Sequence, residues 1–427
     1  MLELSATERS PESQRKGREL RRAITLPQAV ALYAGAVIGA GVLILPGVGA
    51  GAAGPASLLA WGFDGLLGVP IALTFAALAA RFPDAGGVAT FTTRAFGSAA
   101  GTMVGWSYFA AAAVAQALVA LTGGHYAAGA LGVGRLAAFA LAAGTLVVAV
   151  AANLYGLRVS ARLQLVLAAG IALVLVAATL AALPRLSADA FTPFMPGGWS
   201  SVGRATILLF FAFFGWEAIT HLSSEFHDPA RDVPRATVLA VALVTTIYLG
   251  VALAVVGTNT YGTDDLNRVA VARVLGATLG AGATWVAAAT ALVITAGTAN
   301  AFVAATSRLG YALARDGGLP QPIARLSARD VPYVSILLVA AIAAGGLVLA
   351  YFAGWGAEAF LVVPNSLVVV VYIIAMAAGV RLLPGAPRAI AVVAALLCVA
   401  ILPFAGASLT IPAVVAAGAL VFTAVRT

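Results

Sequence analysis

Residues 35–47 read Gly35-Ala36-Val37-Ile38-Gly39-Ala40-Gly41-Val42-Leu43-Ile44-Leu45-Pro46-Gly47. Glycine costs a helix interior about 1 kcal/mol relative to alanine, and proline breaks the hydrogen-bond ladder. Glycines at 35, 39 and 41 with a proline at 46 therefore weaken one helix in its middle. Alone, the run also fits a small-residue packing face or a simple kink. A second stretch bears on the choice. Phe210-Phe211-Ala212-Phe213-Phe214-Gly215-Trp216-Glu217-Ala218 sets a glycine and a carboxylate inside another apolar segment.

Outward from these two stretches the chain is apolar nearly throughout. Of its 427 residues 62% are hydrophobic and 9% charged, and the mean hydropathy is +1.02. Soluble domains carry about 25% charged residues. Lipid must cover most of the outside, which excludes a soluble enzyme, a nucleic-acid binder or a disordered scaffold. A pI near 10.1 then means basic loops beside anionic lipid. Cys398 is the one cysteine, so no internal disulfide or cysteine cluster exists. His125, His221 and His227 are too scattered for a metal centre, and no cofactor is expected.

About 20 apolar residues cross a bilayer core of roughly 30 Å. Twelve runs meet that measure, giving an all-α polytopic membrane protein: 28–49, 54–81, 99–122, 136–153, 160–183, 202–222, 236–257, 278–305, 333–353, 359–380, 388–404 and 408–425. The first is too long and too far along to read as a signal peptide. Several runs are rich in glycine and alanine, which suits close helix packing in lipid. Residues 1–25 form a polar tail, 26–380 the core and 381–427 two trailing helices. The largest hydrophilic loops are expected at 82–98, 184–199 and 306–332. Of the 24 basic residues, all but Arg135, Arg185, Arg204, Arg268 and Arg273 fall on one side if the tail is cytoplasmic. The positive-inside rule thus predicts both termini inside the cytoplasmic membrane.

The two weakened helices are the first and the sixth, five apart. That spacing predicts two five-helix halves of opposite topology, with a binding site at the midplane where helices 1 and 6 are interrupted. Unwinding frees N–H groups at the start of one half-helix and C=O groups at the end of the other. Carboxylates are favoured at the first kind of end and ammonium groups at the second. Amides after Gly39 suit a carboxylate, and carbonyls near Val37, Ile38 and Phe211 to Phe214 suit an α-ammonium. No charged side chain is needed to bind the common part of an amino acid.

These breaks, with Ser307-Arg308-Leu309-Gly310-Tyr311-Ala312-Leu313-Ala314-Arg315-Asp316-Gly317-Gly318-Leu319-Pro320, resemble the amino acid–polyamine–organocation transporters. Pro83-Asp84-Ala85-Gly86-Gly87-Val88-Ala89 and the segment from His221 to Ala236 are similar to the bacterial exporters of methionine and branched-chain amino acids. The resemblance runs from helix one to about helix eleven. It implies that Gly39, Ala40 and Gly41 form a carboxylate-binding loop and that Phe211 and Phe214 gate or line the site. It also implies that Gly215 is the unwinding glycine and that Glu217 senses protons. Val37, Ile38, Val42, Phe213 and Trp216 complete the expected substrate site. One departure is that Leu167-Ala168-Ala169-Gly170-Ile171-Ala172 lacks the lysine some proton-coupled relatives carry in helix five.

The remaining polar residues are weighed one by one. An ionised acid at a membrane-helix centre costs about 2.5–3.5 kcal/mol on insertion scales. Glu217, beside a break, reads as a coupling group or as a hydrogen-bonding one. Asp64, ten residues into helix two, reads as a structural contact. Glu358 is expected to be solvated at the outer end of helix ten, and His221 to be an interfacial hydrogen-bonding residue. The buried amides Asn300 and Asn365 cap a helix, bridge neighbours or touch the ligand in coupling or gating. Glu225 to Arg235, with Arg308, Arg315 and Asp316, form either a solvated linker or a gate. A membrane enzyme would need a convergent acid–base or metal cluster, and no such motif lies in the spans. A channel would lack paired breaks, and a sensor would bind without flux. The expected activity is proton-coupled export of methionine, leucine, isoleucine and valine, with carbonyls and the Thr295 or Thr298 hydroxyls as the alternative sodium site. Import or exchange by the same machinery is the other reading.

Overall fold

A computed structural model describes residues 26–82, 87–156, 161–216 and 229–426. Among these residues there is helix and turn but no strand. The helices are α1 (Leu26–Val37), α2 (Leu45–Ala53), α3 (Ser57–Arg81), α4 (Gly87–Phe96), α5 (Ser98–Leu131), α6 (Arg135–Leu154), α7 (Ala161–Ala182) and α8 (Gly198–Leu209). After them come α9 (Pro229–Gly257), α10 (Asp264–Arg268), α11 (Ala270–Leu279), α12 (Ala281–Arg315), α13 (Tyr333–Phe352), α14 (Ala357–Leu382), α15 (Gly385–Ile401) and α16 (Thr410–Arg426). Nine helical runs among the described residues are long and apolar enough to cross a membrane. Two of these, Leu45–Arg81 and Gly385–Val425, turn where Gly54 and Gly406 adopt φ of 60° and 54°.

The bundle is built around α5, against which α4, α6, α12, α13, α14 and α16 pack. Small residues allow the close approach: Gly123 of α5 meets Thr295 of α12, and Gly124 meets the Ala138 carbonyl of α6. Large apolar side chains such as Leu66, Leu136, Val147, Leu173 and Phe352 point outward. In lipid every polar group needs an internal partner. Thr92, Thr122, Thr145, Thr179 and Thr237 accordingly donate to the carbonyl four residues earlier.

The structure corrects three expected boundaries. The third expected span is longer than 99–122, because α5 continues to Leu131 and stops only where Gly132 takes φ 67°. The segment 306–332 is a loop only in part, since α12 runs to Arg315. Leu313 and Gly310 there pack on Gly105 and Phe109 of α5, which favours continued helix. Within 82–98 lies α4, whose buried Val88, Phe91, Thr92 and Ala95 recur at helical spacing. The polar tail 1–25 lies outside the described residues.

Candidate functional site

The first interruption falls where the glycines predict. Helix α1 ends at Val37, and Gly39 is extended at φ −101°, ψ 170°. A 3-10 turn over Ala40–Leu43 follows, and α2 then starts with Pro46 near its first position, where its missing N–H costs nothing. The first hydrogen bond of that turn runs from Val42 N–H to Gly39 C=O at 3.2 Å. The N–H groups of Gly39, Ala40 and Gly41 come before it, so the turn does not use them.

At the second interruption α8 passes into a 3-10 turn, Phe210–Phe213, and the chain then extends at Phe214 with φ −74°, ψ 126°. Gly215 follows at φ 127°, a conformation that a side chain would strain. Residues 217–228 are outside the described part, so Glu217, His221, Glu225 and Asp228 receive no structural account.

The interruptions touch each other. A Cβ at Gly41 would stand 2.6 Å from Cε1 of Phe211. Three tyrosines from three other helices hold the unwound backbone. Tyr248 of α9 reaches the Val37 carbonyl at 3.3 Å and the Ala212 carbonyl at 3.4 Å, linking the ends of both breaks. Its one hydroxyl proton serves one of them at a time. Tyr126 of α5 donates to the Leu43 carbonyl at 2.7 Å, and Gly215 N–H donates to the Tyr372 hydroxyl of α14 at 3.4 Å. Asn365 supplies both amide protons to the end of α8, at 2.8 Å from Ile207 O and 2.9 Å from Leu208 O.

Between the breaks lies a cavity of about 30 Å³, against the 10–15 Å³ that one water needs. Of the residues expected from sequence, Val37, Gly39, Gly41, Val42, Phe211 and Phe214 line it, and none of its lining residues is charged. Val119, Ala212, Tyr248, Thr298 and Phe302 line it too and were not in the expected substrate set. Tilted rings crowd the space: Phe214 lies 5.4 Å from Tyr108, 6.3 Å from Phe211 and 6.4 Å from Phe302, centroid to centroid. Chemically, the unused N–H groups at one wall suit an anion, and the carbonyls of Val37 and Ala212 at another suit a cation.

Other expected residues stand elsewhere. Ile38 is buried beside the break, and Ala40 lies in its 3-10 turn. Phe213 packs edge-on against Tyr248 at 5.5 Å, and Trp216 is fully buried against Gly68 of α3. Asn300 accepts from Asn153 of α6 at 2.7 Å, and Asn153 lines a different, polar cleft of about 90 Å³ with Ser307, Arg308, Arg329 and Asp330. Glu358, expected to be solvated, is partly exposed and pairs with Arg204, and Arg315 pairs with its neighbour Asp316 at 2.8 Å. Expected as a structural contact, Asp64 has no hydrogen-bond partner among the described residues. The missed tyrosines left a signal in the sequence, since a phenol inside an apolar run needs an acceptor nearby.

Two broken helices meeting at an uncharged cavity inside a multi-pass helical bundle fit a membrane transport protein. The family model described as "Amino acid permease" matches residues 24–424, and the chain belongs to that family, within the amino acid–polyamine–organocation superfamily. It is 35% identical over 403 residues to "Uncharacterized amino acid permease YecA" of Bacillus subtilis, covering 93% of this chain and 95% of that one. To "L-methionine/branched-chain amino acid exporter YjeH" of Escherichia coli it is 30% identical over 390 residues, covering 91% and 92%. "Branched-chain amino acid permease BcaP" of Bacillus subtilis is 26% identical over 341 residues, covering 74% and 72%.

Proposed function

We propose that the protein is a secondary active transporter that exports neutral aliphatic amino acids, methionine and the branched-chain ones foremost, in exchange for protons. The observation that carries this reading is the meeting of both helix breaks at a cavity with apolar walls and no charged side chain. The substrate carboxylate sits on the N–H groups of Gly39 to Gly41, and its ammonium displaces the Tyr248 hydroxyl from the carbonyls of Val37 and Ala212. The aliphatic side chain lies among Val42, Val119, Phe214 and Phe302. A lysine or arginine side chain would be buried there unpaired, at a cost of several kcal/mol. One methylene more or less is worth only about 1–3 kcal/mol, so a mixed substrate range follows. The name of the Escherichia coli relative supports export of these amino acids.

At about 30 Å³ the cavity holds water but not an amino acid, so Phe211, Phe214 and Phe302 part when substrate enters. The architecture that suits this cycle has twelve crossings, with two five-helix repeats of opposite topology over residues 26–380 and two trailing helices over 381–427. The arginine distribution supports a reading with both termini in the cytoplasm. Glu217, next to the second break, is the titrating group that couples proton entry to amino-acid exit, since a carboxylate at a membrane-helix centre is seldom idle. Flux of a panel of radiolabelled amino acids in proteoliposomes tests the reading. Leucine, isoleucine, valine and methionine should lead, and preference for arginine or glutamate would refute it.

A further inference from the structure

Asp64 lies in α3 at 1% exposure, and neither of its carboxylate oxygens meets a hydrogen-bond partner among the described residues. Trp61, Asp64, Gly65 and Gly68 share the i, i+3, i+4, i+7 face of that helix. The face packs directly on the second break. Trp61 lies 6.1 Å from Phe213 and 5.2 Å from Tyr248, and a Cβ at Gly68 would stand 3.2 Å from Nε1 of Trp216. The Thr245 side chain of α9 fills the notch left by Gly65. Trp61 Nε1, Trp216 Nε1 and Thr245 Oγ1 are buried without an acceptor among the described residues. One seam therefore holds an acid with no donor and three donors with no acceptor. Buried polar groups are hydrogen-bonded in the large majority of cases, and a cluster of exceptions calls for an explanation.

Charges on the elements packed around α3 leave Asp64 uncompensated. Cys398 of α15 is within electrostatic reach of it, and Tyr248 and Tyr372 are phenols engaged at the breaks. Arg204 of α8 and Glu358 of α14 pair with each other, Arg381 of α14 lies over the Phe96 ring, and Arg388 of α15 donates to the Val380 carbonyl. Arg231, Asp232 and Arg235 of α9 sit ten residues or more from Thr245, about 15 Å of helix. No ion pair joins Asp64 to a cation among the described residues. Uncompensated acids inside membrane helices mark proton and ion pathways.

We propose that Asp64 is a proton-binding group of the transport cycle, a site separate from Glu217. Its carboxylate takes a proton from water on the side to which the seam is open and returns it to water on the other. Because Gly68 and Trp61 of the same face bear on Trp216 and Phe213, the change in charge at Asp64 is felt at the segment that contains Gly215. Ligands bias an equilibrium only through different affinities for its two states, and this contact supplies such a difference. The inference rests on the transporter reading above.

The test uses the full-length protein in proteoliposomes and reads the ratio of pH-gradient-driven leucine flux to leucine counterflow, so that changes in amount or turnover cancel. Asp64→Asn should lose most of that ratio and flatten its pH profile, while Asp64→Glu should recover part of it. If Asp64→Asn keeps the wild-type ratio and profile, the inference is overturned and the transporter reading stands. If the wild type shows no leucine counterflow, the transporter reading falls and this inference with it. A measurement on wild-type protein guards against misfolding of the variants. Dicyclohexylcarbodiimide, an apolar reagent for carboxylic acids, should label Asp64 and extinguish the gradient response in step with labelling. Full labelling of Asp64 with the response intact overturns it.

Discussion

Gly41→Ala probes the junction of the two breaks. The new methyl carbon would lie 2.6 Å from Cε1 and 3.0 Å from Cδ1 of Phe211. Carbon atoms rest at about 3.5–4.0 Å, so the ring must retreat by roughly 1 Å. Phe211 stands at the wall of a cavity of about 30 Å³ and stacks on Phe214 at 6.3 Å, so its retreat displaces a second wall as well. Overpacking of this kind costs about 1–3 kcal/mol, or about 5- to 150-fold in an equilibrium constant. Leucine binding, measured by scintillation proximity, should weaken by about tenfold, with a lower melting temperature in detergent. Phe211→Leu in the same molecule removes Cε1, the atom struck hardest, and should restore melting temperature more than two independent effects would allow. Gly39→Ala is the contrast. Its methyl meets nothing nearer than the Val37 carbonyl at 3.9 Å, so stability should hold while affinity falls, because Gly39 lines the cavity. Wild-type affinity and melting temperature in Gly41→Ala would refute the junction, as would strict additivity with Phe211→Leu.

Tyr126→Phe deletes the 2.7 Å hydrogen bond to the Leu43 carbonyl and leaves that buried acceptor unpaired, so thermal unfolding should show a loss of about 1–3 kcal/mol. Glu217→Gln keeps shape but fixes neutrality, so amino-acid exchange should lose most of its pH dependence; a wild-type response to an imposed pH gradient would make Glu217 structural. Neutralising Arg204 or Glu358, a partly exposed pair, should change stability by less than about 1 kcal/mol in the same unfolding assay.

Both breaks were legible in sequence because glycine and proline act locally. Gly39, Gly41 and Pro46 weaken a helix whatever surrounds it, and Gly215 supplies the positive φ that ends the 3-10 turn. The partners of the hydroxyls that hold the breaks were not legible. Tyr126, Tyr248 and Tyr372 lie far along the chain in apolar runs, and only packing shows which backbone group each one meets. Asn300 and Asn365 were expected as buried amides, and the structure gives them Asn153 and the end of α8 as partners. For Asp64 composition suggested a contact, and burial without one is a property of the packed bundle alone. Helix α4 escaped because a ten-residue amphipathic helix falls below the length that marks a membrane span.

The central claim is that an amino acid binds where the two interrupted helices meet, and a structure of the full-length protein with bound leucine tests it most directly. The account predicts the leucine carboxylate on the N–H groups of Gly39, Ala40 and Gly41, its ammonium at the carbonyls of Val37 and Ala212, and its side chain among Val119, Phe214 and Phe302. Leucine found instead in the polar cleft of Asn153, Arg308 and Arg329, with the space beside Tyr248 unchanged, would contradict it.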